Sequence, residues 1–557
     1  MKNKSIKSLV LLVVLFILTS ELYATDYHVG SNQAYTSINA VPWESMLAGD
    51  NVYIHWRSVA EGGAYHEKWV INVAGTEESP FVVSGVLGPN GERPVIDGNA
   101  ALTRTQLNYW GGDRSIIKIG GSSIPDNETA SFIIIENLEI HSANPDYSFT
   151  DDGGNQMDYK NLAASIFIET GNNIIVRNCV IYNSGNGIFS AWESSNVLIE
   201  KNYIYGNGNE GRIYEHNAYT ESTNITYQYN RFGPLRSGAG GNNLKDRSAG
   251  LVVRYNWIQG GNRLLDLVES EFDSYYNNPV YRKTFVYGNI LIEEEGGNPQ
   301  AIHYGGDNGD ETIYRKGKLY FYNNTLYSVR TDNTTLIRLS SNDEFADIRN
   351  NILFVTAVGS TLALLDDAGH ATIKNNWIKP GWVNSHSGTI SGTIDNDESN
   401  IESSNPGFVN ATSYDFHLLK SSSAINKGTS LLADVISEHG LTMEYKTHQD
   451  STSRAINGVL DIGAYEYDSE IVTGMLNNML PEKEKYQLYP NPVKNNLFFN
   501  LEDAVKDGKV YTLAGKAIFS FDKSNNNQID VSKLNRGTYL LELNTLEGKT
   551  VLKFIKK

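Results

Sequence analysis

The sequence predicts an all-β chain, a long parallel β-helix followed by a small C-terminal β-sandwich. Three observations carry this expectation. First, an Asn followed two residues later by an aliphatic or aromatic residue recurs from Asn178 to Asn376, at spacings of 24, 28, 26, 33, 35, 27 and 25 residues. A period in the twenties, lengthened where loops are inserted, marks a solenoid whose unit cannot bury its apolar face alone. Second, short alternating runs such as Asn196-Val-Leu-Ile-Glu200 lie between Gly/Asn corners such as Gly206-Asn-Gly-Asn209, with no long 3.6-residue period. Third, residues 486–557 abandon the repeat for alternating runs such as Thr538-Tyr-Leu-Leu-Glu-Leu543, joined by Gly turns.

Composition bounds the rest. The 557 residues are 40% apolar and 20% charged, which excludes wholesale disorder. With 46 Lys+Arg against 64 Asp+Glu, the formal net charge is −18. This balance argues against a nucleic-acid binder, which needs clustered Lys and Arg over a broad face.

The elements follow in chain order. Residues 1–24 have the pattern of an export signal: Lys2, Lys4 and Lys7, the apolar run Leu9 to Leu18, and a small-residue exit at Leu22-Tyr23-Ala24. The run is too short to span a bilayer, so the expected mature chain has no transmembrane segment. Three Lys and one Glu depart with it, which takes the formal charge from −18 to −20. Cys179 is the only cysteine, so no intrachain disulfide can form, and it is expected to be a small core or turn residue.

Residues 25–400 make the solenoid. Gly49-Asp-Asn-Val-Tyr-Ile54 and Pro94-Val-Ile-Asp-Gly98 are expected among its first strands and turns, and Phe132 to Ile140 is its first long apolar run. The repeated Asn, from Asn178 and Asn202 onward, is expected at a corner, because Asn tolerates left-handed backbone and its amide can bond its counterpart one rung away. That duty is structural.

From residue 401 to 470 the rung pattern lapses into Asn405-Pro-Gly-Phe408, Phe416-His-Leu418, Ser423-Ala-Ile-Asn426 and Asp461-Ile-Gly-Ala-Tyr-Glu466. This stretch resembles the closing segment at the C-terminal end of many bacterial β-helix proteins, which implies a cap over the last rung. A linker at 471–485 precedes the final unit. That unit carries Tyr489-Pro-Asn-Pro-Val493, Leu513-Ala-Gly515, Leu534-Asn-Arg-Gly-Thr-Tyr539 and Lys553-Phe-Ile-Lys-Lys557. Residues 486–557 resemble the type A sorting domain of the Bacteroidota type IX secretion system. The resemblance implies that secretion machinery as a partner, passage through the periplasm and outer membrane, and a secreted or cell-surface product.

Possible chemistry concentrates in one stretch. Between Arg231 and Arg263 lie Arg231, Arg236, Lys245, Arg247, Arg254 and Arg263, with Asp246 as the only acid; Asp266, Glu269, Glu271 and Asp273 follow without a base. Residues one period apart on a β-helix come within roughly 5 Å, so these segments are expected to form adjacent patches of opposite sign on one lateral face. A cationic groove flanked by carboxylates suits an acidic sugar chain, together with a calcium ion held by Asp266 and Glu269.

The segments Glu215-His-Asn-Ala-Tyr219, Asn224-Ile-Thr, Gly241-Asn-Asn-Leu-Lys-Asp-Arg-Ser248 and Arg254-Tyr-Asn256 resemble secreted bacterial right-handed parallel β-helix proteins and, more distantly, the chondroitinase-B and alginate lyase family. In that family a rung Lys, followed by a hydroxyl residue and Arg-x-Asn, sits at the catalytic face. The resemblance implies a lyase that cleaves a uronic-acid polysaccharide by β-elimination, with Lys245 abstracting the proton. Such a base needs a lowered pKa, which Arg247 and Arg254 would promote by repulsion. Arg247 is placed beside it in the catalytic set, with Tyr219 or His216 as acid, and Arg254, Arg263, Asn217 and Arg236 as substrate contacts. The sequence departs from the family at Leu264-Leu-Asp-Leu-Val-Glu269, where a second arginine is expected; Arg247 or Arg263 would have to substitute.

Two other readings stay open. Asp266 and Glu269 could serve as the carboxylate pair of a glycoside hydrolase, although a spacing of three along a strand puts them on opposite faces. A non-catalytic glycan-binding or adhesin scaffold would use the same surface. His303, Tyr304 and the turn Asp307-Asn-Gly-Asp310 are weaker candidates, the turn as a calcium loop or a plain corner. Trp192, Tyr203, Tyr205, Tyr214 and Tyr255 are candidates for stacking on sugar rings.

Overall fold

The computed structural model describes residues 24–124, 129–468, 486–501, 505–512, 516–522, 528–545 and 549–557. The expected signal at 1–24, but for its last residue, and the linker at 471–485 lie outside these residues. The chain divides into two compact units, Met1–Tyr467 and Asp468–Lys557.

The larger unit is a parallel β-helix with three strands to a full rung. Leu244–Asp246 runs along the first face, Ala249–Arg254 along the second and Trp257–Gln259 along the third. The next rung repeats this with Leu265–Leu267, Lys283–Tyr287 and Ile290–Glu293. Pairing is parallel and in register on every face: Leu244 lies opposite Leu265, Val253 opposite Val286 and Ile258 opposite Leu291. The third face is one sheet of eleven strands, from Val95–Asp97 to Ile401–Glu402. Alternate residues point inward, so stacked Leu, Ile and Val such as Leu244, Leu265 and Ile302 fill a continuous apolar core.

The repeated asparagines form a buried ladder. Each Oδ1 of Asn202, Asn230, Asn256, Asn289, Asn324, Asn351, Asn376 and Asn400 accepts the backbone N–H of the equivalent residue one rung earlier at 2.9–3.0 Å. Two details differ from expectation. The left-handed residue is the one before the ladder position: Lys201, Tyr229, Tyr255, Gly288, Asn323, Asn350 and Asn375 have φ between 49° and 66°. Asn178 belongs to that outer set, with φ 52°, and Cys179 takes the ladder place in its rung. A ladder Asn must aim its amide inward, whereas the left-handed turn before it carries the chain around the corner.

The closing segment is a strap along the flank of the solenoid. Phe408, Phe416, Leu418, Tyr445 and Tyr465 pack on outward-facing third-face residues such as Trp257 and Trp377. The helix Ala433–His439 and its neighbours cover Tyr255, Phe285, Tyr287, Tyr320 and Tyr322 of the second face. The outer asparagines fasten it: Asn323, Asn350 and Asn375 donate to the carbonyls of Asp461, Thr429 and Lys427. The expected cap over the last rung is thus corrected, because the solenoid's large unpaired apolar surface lies on its side. Trp382, Ile390 and Ile394 pack against the core in the last rungs, and Trp43 stacks on Trp69 in the first.

The smaller unit has a three-stranded antiparallel sheet (Tyr486–Tyr489, Asn496–Leu501, Gln528–Asp530) and a four-stranded one (Ala517–Asp522, Val505–Thr512, Gly537–Thr545, Lys549–Lys556). Val493, Leu497, Val510, Leu541, Leu543 and Phe554 fill its core, as the alternating pattern predicts for a sandwich.

Candidate functional site

Parallel register on the first face stacks one outward-pointing residue per rung into a column. Phe189 lies opposite Tyr219, Tyr219 opposite Lys245, Lys245 opposite Asp266, Asp266 opposite His303, and His303 opposite Arg338. Beneath this column a second amide ladder braces the corner that leads into the face. Asn207 donates to Asn217 and Asn217 to Asn243, both at 3.0 Å, and Asn217 also donates to the Gly233 carbonyl. The flanking His216 and Asn242 therefore face out, into a cleft of about 660 Å³ that also takes in Arg212, Tyr214, Arg247, Arg263 and Asp307.

Charges in the cleft are tightly paired. The Lys245 ammonium donates to Asp266 Oδ2 at 2.6 Å and to Asp307 Oδ2 at 2.8 Å. Arg247 donates through Nε to the Tyr219 oxygen at 3.2 Å and through Nη2 to Asp307 Oδ1 at 3.4 Å. Asp266 also accepts from Asn242 Nδ2 at 2.7 Å and contacts His303 Nδ1 at 2.8 Å, and His303 Nε2 meets Ser340 Oγ at 2.9 Å. Glu269 accepts the backbone N–H groups of Asp307 and Asn308 at 2.8 and 3.0 Å, so it fixes the loop that carries Asp307. Arg315, from the same loop, is fully buried against Asp246, at 3.0 Å, and pins the loop's other end.

These pairings set the protonation states. Burial works against the charge on Lys245, but Asp266 and Asp307 outweigh it and raise its pKa above the ordinary value. The expectation of a lowered pKa is corrected in its net direction: Arg247 does push the value down, but the two carboxylates outweigh it, and Arg254 lies on another face. Burial likewise opposes ionisation of Asp266, yet the His303 hydrogen bond and the Lys245 charge hold its pKa far below the usual range. Asp307 is also lowered, with Lys245 overcoming burial. His216 is pushed down to about 3, by burial first and Lys245 second, and its Nδ1 accepts the Asn242 N–H at 2.8 Å. It is a neutral imidazole whose proton sits on Nε2.

The fold brings together Lys245, Arg247, His216, Tyr219, Arg263 and Asp266 from among the candidates expected from sequence. It sets others elsewhere. Arg254 is on the second face, bonded to Gln228 and Tyr287. Arg236 bonds Asn183 and Asp146 outside the cleft, and Asn217 is a buried ladder residue with no free amide to offer a substrate. The two patches of opposite sign do not form as expected, because register interleaves the charges into Lys245–Asp266 and Arg247–Glu269 pairs.

Asp266 and Glu269 do not suit a calcium ion. Their oxygens are taken by Lys245, Asn242 and His303 on one side and by backbone N–H groups on the other, and a cation there would face Lys245 and Arg247. Among the described residues, no group of three or more His, Cys, Asp or Glu is placed to hold a metal. The Asp307–Asp310 turn is no calcium loop either: Asp307 reaches Lys245 and Arg247, while Asp310 bonds Thr312 of its own turn.

Of the aromatic candidates, Tyr214 is exposed on the cleft wall. Tyr255 lies under the strap, where its oxygen accepts from Thr442 N; Tyr203 and Tyr205 stack on each other, and Trp192 stacks on Phe272. Sequence reasoning gave Asp307 and His303 too little weight and missed Asn242 and Ser340. Their signal is register across rungs of unequal length, which spacing alone does not supply.

Residues 487–557 match the family described as the secretion system C-terminal sorting domain. The sorting domain directs the chain through the type IX system to the cell surface or outside. Among the described residues no helix is long and apolar enough to cross a membrane. No curated protein matches the chain. Among solved structures, similarity is found to pectate lyase Pel9A, with 13% identity, a TM-score of 0.44, and coverage of 81% of this chain and 98% of that one. An alginate lyase from Paenibacillus sp. str. FPU-7 is 12% identical, with a TM-score of 0.36 and coverage of 63% and 94%. DFA-IIIase from Arthrobacter chlorophenolicus A6 without its lid, in complex with GF2, is 11% identical, with a TM-score of 0.39 and coverage of 63% and 88%.

Proposed function

We propose that the first-face cleft binds an acidic, uronic-acid-containing polysaccharide and cleaves it by β-elimination. The observation that carries this reading is the Asp307 carboxylate, which bridges Lys245 and Arg247 at the edge of an open cleft that also holds Arg212 and Arg263. A cation pair that grips a carboxylate in this way is what a uronate needs. Removing the weakly acidic proton α to that carboxylate builds negative charge on it, and fixed cations stabilise that charge most in the transition state.

The remaining roles follow from protonation. Lys245 enters as an ammonium, so it neutralises the carboxylate and protonates the leaving glycosidic oxygen. Tyr219, one rung away with an Arg247 N–H directed at its oxygen, takes the α-proton after handing its own phenolic proton to solvent. Neutral His216 donates a hydrogen bond from Nε2. The hydrolase reading fits less well, because the His303 hydrogen bond and Lys245 keep Asp266 ionised and Lys245 keeps Asp307 ionised, against burial in both, whereas that chemistry needs one protonated carboxyl.

The test is incubation with a panel of acidic polysaccharides, read for ultraviolet absorbance of unsaturated uronate and for new reducing ends. The expected result is both signals together. Reducing ends without absorbance would favour a hydrolase, and binding without either signal would favour a scaffold.

A further inference from the structure

Asp307 differs from the other charged groups around Lys245. Its side chain is 38% exposed, whereas those of Lys245, Arg247 and Asp266 are at 10%, 15% and 2%. Its two oxygens are divided between the two cations: Oδ2 takes Lys245 Nζ at 2.8 Å and Oδ1 faces Arg247 Nη2 at 3.4 Å. Its backbone is held by Glu269 and its loop by Arg315, so only the side chain is free to swing. Lys245 has a second, permanent carboxylate in Asp266 at 2.6 Å, and the fold therefore does not need Asp307 to keep that buried ammonium paired.

We propose that Asp307 is an internal stand-in for the substrate's carboxylate: it occupies the seat between Lys245 and Arg247 and is displaced by a uronate of the bound chain. This rests on the reading of the cleft as a uronate site and deepens it. The exchange replaces one carboxylate with another, so it leaves no buried cation unpaired. A neutral sugar has nothing to put in the seat and leaves Asp307 in place, so the seat selects chains that bear carboxylates. The occupied seat also lowers the apparent affinity to the fraction of time the seat stands empty.

Titration calorimetry of the full chain with glucuronate, and with glucose as the neutral control, tests the proposal. Asp307→Asn keeps the volume and removes the competing charge; it is expected to bind glucuronate about tenfold more tightly than the wild type, as for a seat filled nine-tenths of the time, with glucose unchanged. Asp310→Asn removes a carboxylate from the same loop that bonds only Thr312, and is expected to change neither affinity. If Asp307→Asn loses the fold, Asp307→Ser makes the same comparison. The proposal is overturned if the Asp307 variant binds glucuronate no more tightly than the wild type, or if Asp310→Asn gains as much. Wild-type turnover is read separately: a tighter Asp307 variant without unsaturated product keeps the seat and rejects the lyase, and the reverse rejects the seat alone.

Discussion

Lys245 and Tyr219 are adjacent in the column and have opposite duties in the proposed reaction. Lys245→Ala and Tyr219→Phe are each expected to lower turnover of an acidic polysaccharide at least about 10²-fold, the scale of a lost general acid or base. Steady-state kinetics on both variants checks this, and either variant retaining near-wild-type turnover counts against its role. The same cluster makes stability depend on pH. Asp266 has a folded pKa below its ordinary 3.8, because the His303 hydrogen bond and Lys245 overcome burial. Its contribution is therefore present above the ordinary value and lost as pH falls through the folded one. Lys245 is raised above 10.5, so its contribution is present below that value and lost as pH rises through the folded pKa. Asp266→Asn is expected to melt lower than the wild type near neutrality, with the gap closing as pH falls below about 4. Melting temperatures across that range decide it, and a gap independent of pH contradicts the assignment.

The rung is the unit of both stability and error at the scale of elements. Asn256, itself fully buried, donates to the carbonyls of Tyr227 and Arg254 and to the Asn289 side chain, and accepts from Asn230. Asn256→Leu leaves several of these groups unpaired, so it is expected to cost about 3 kcal/mol or more, while folded molecules keep their activity. Denaturant unfolding and turnover per folded molecule measure the two; an intact stability with lost turnover contradicts the scaffold role. The ladder was legible because a repeated polar residue among apolar runs fixes the period. It slipped by one at Asn178, since Cys179 fills the ladder place and carries no amide. The strap was not legible: outward Trp257 and Trp377 look the same in sequence as inward residues, and only the course of residues 405–467 reveals what covers them. The cleft was legible where its residues are close in sequence, as for His216, Tyr219, Lys245 and Arg247. It was not where rung lengths of 33 and 35 residues hide the register, as for His303 and Asp307, where a corner carries a residue to another face, as for Arg254, or where the side chain turns inward, as for Asn217.

Two units with separate cores make up the whole chain, one holding the cleft and the other the sorting domain. A chain truncated to Thr25–Asp468 keeps the solenoid, the strap and every residue of the cleft, so it is expected to fold alone and to match the full chain in turnover. Circular dichroism and kinetics on the truncated chain check this, and loss of cooperative melting would show that the solenoid depends on the second unit. An exported β-helix that presents a carboxylate seat on one face and uses it for β-elimination must release unsaturated uronate. The most direct measurement is the ultraviolet absorbance of the products when the wild-type chain is incubated with uronic-acid polysaccharides. Absorbance is expected to rise in step with new reducing ends and to be lost in Lys245→Ala; reducing ends that accumulate with no absorbance would rule out β-elimination.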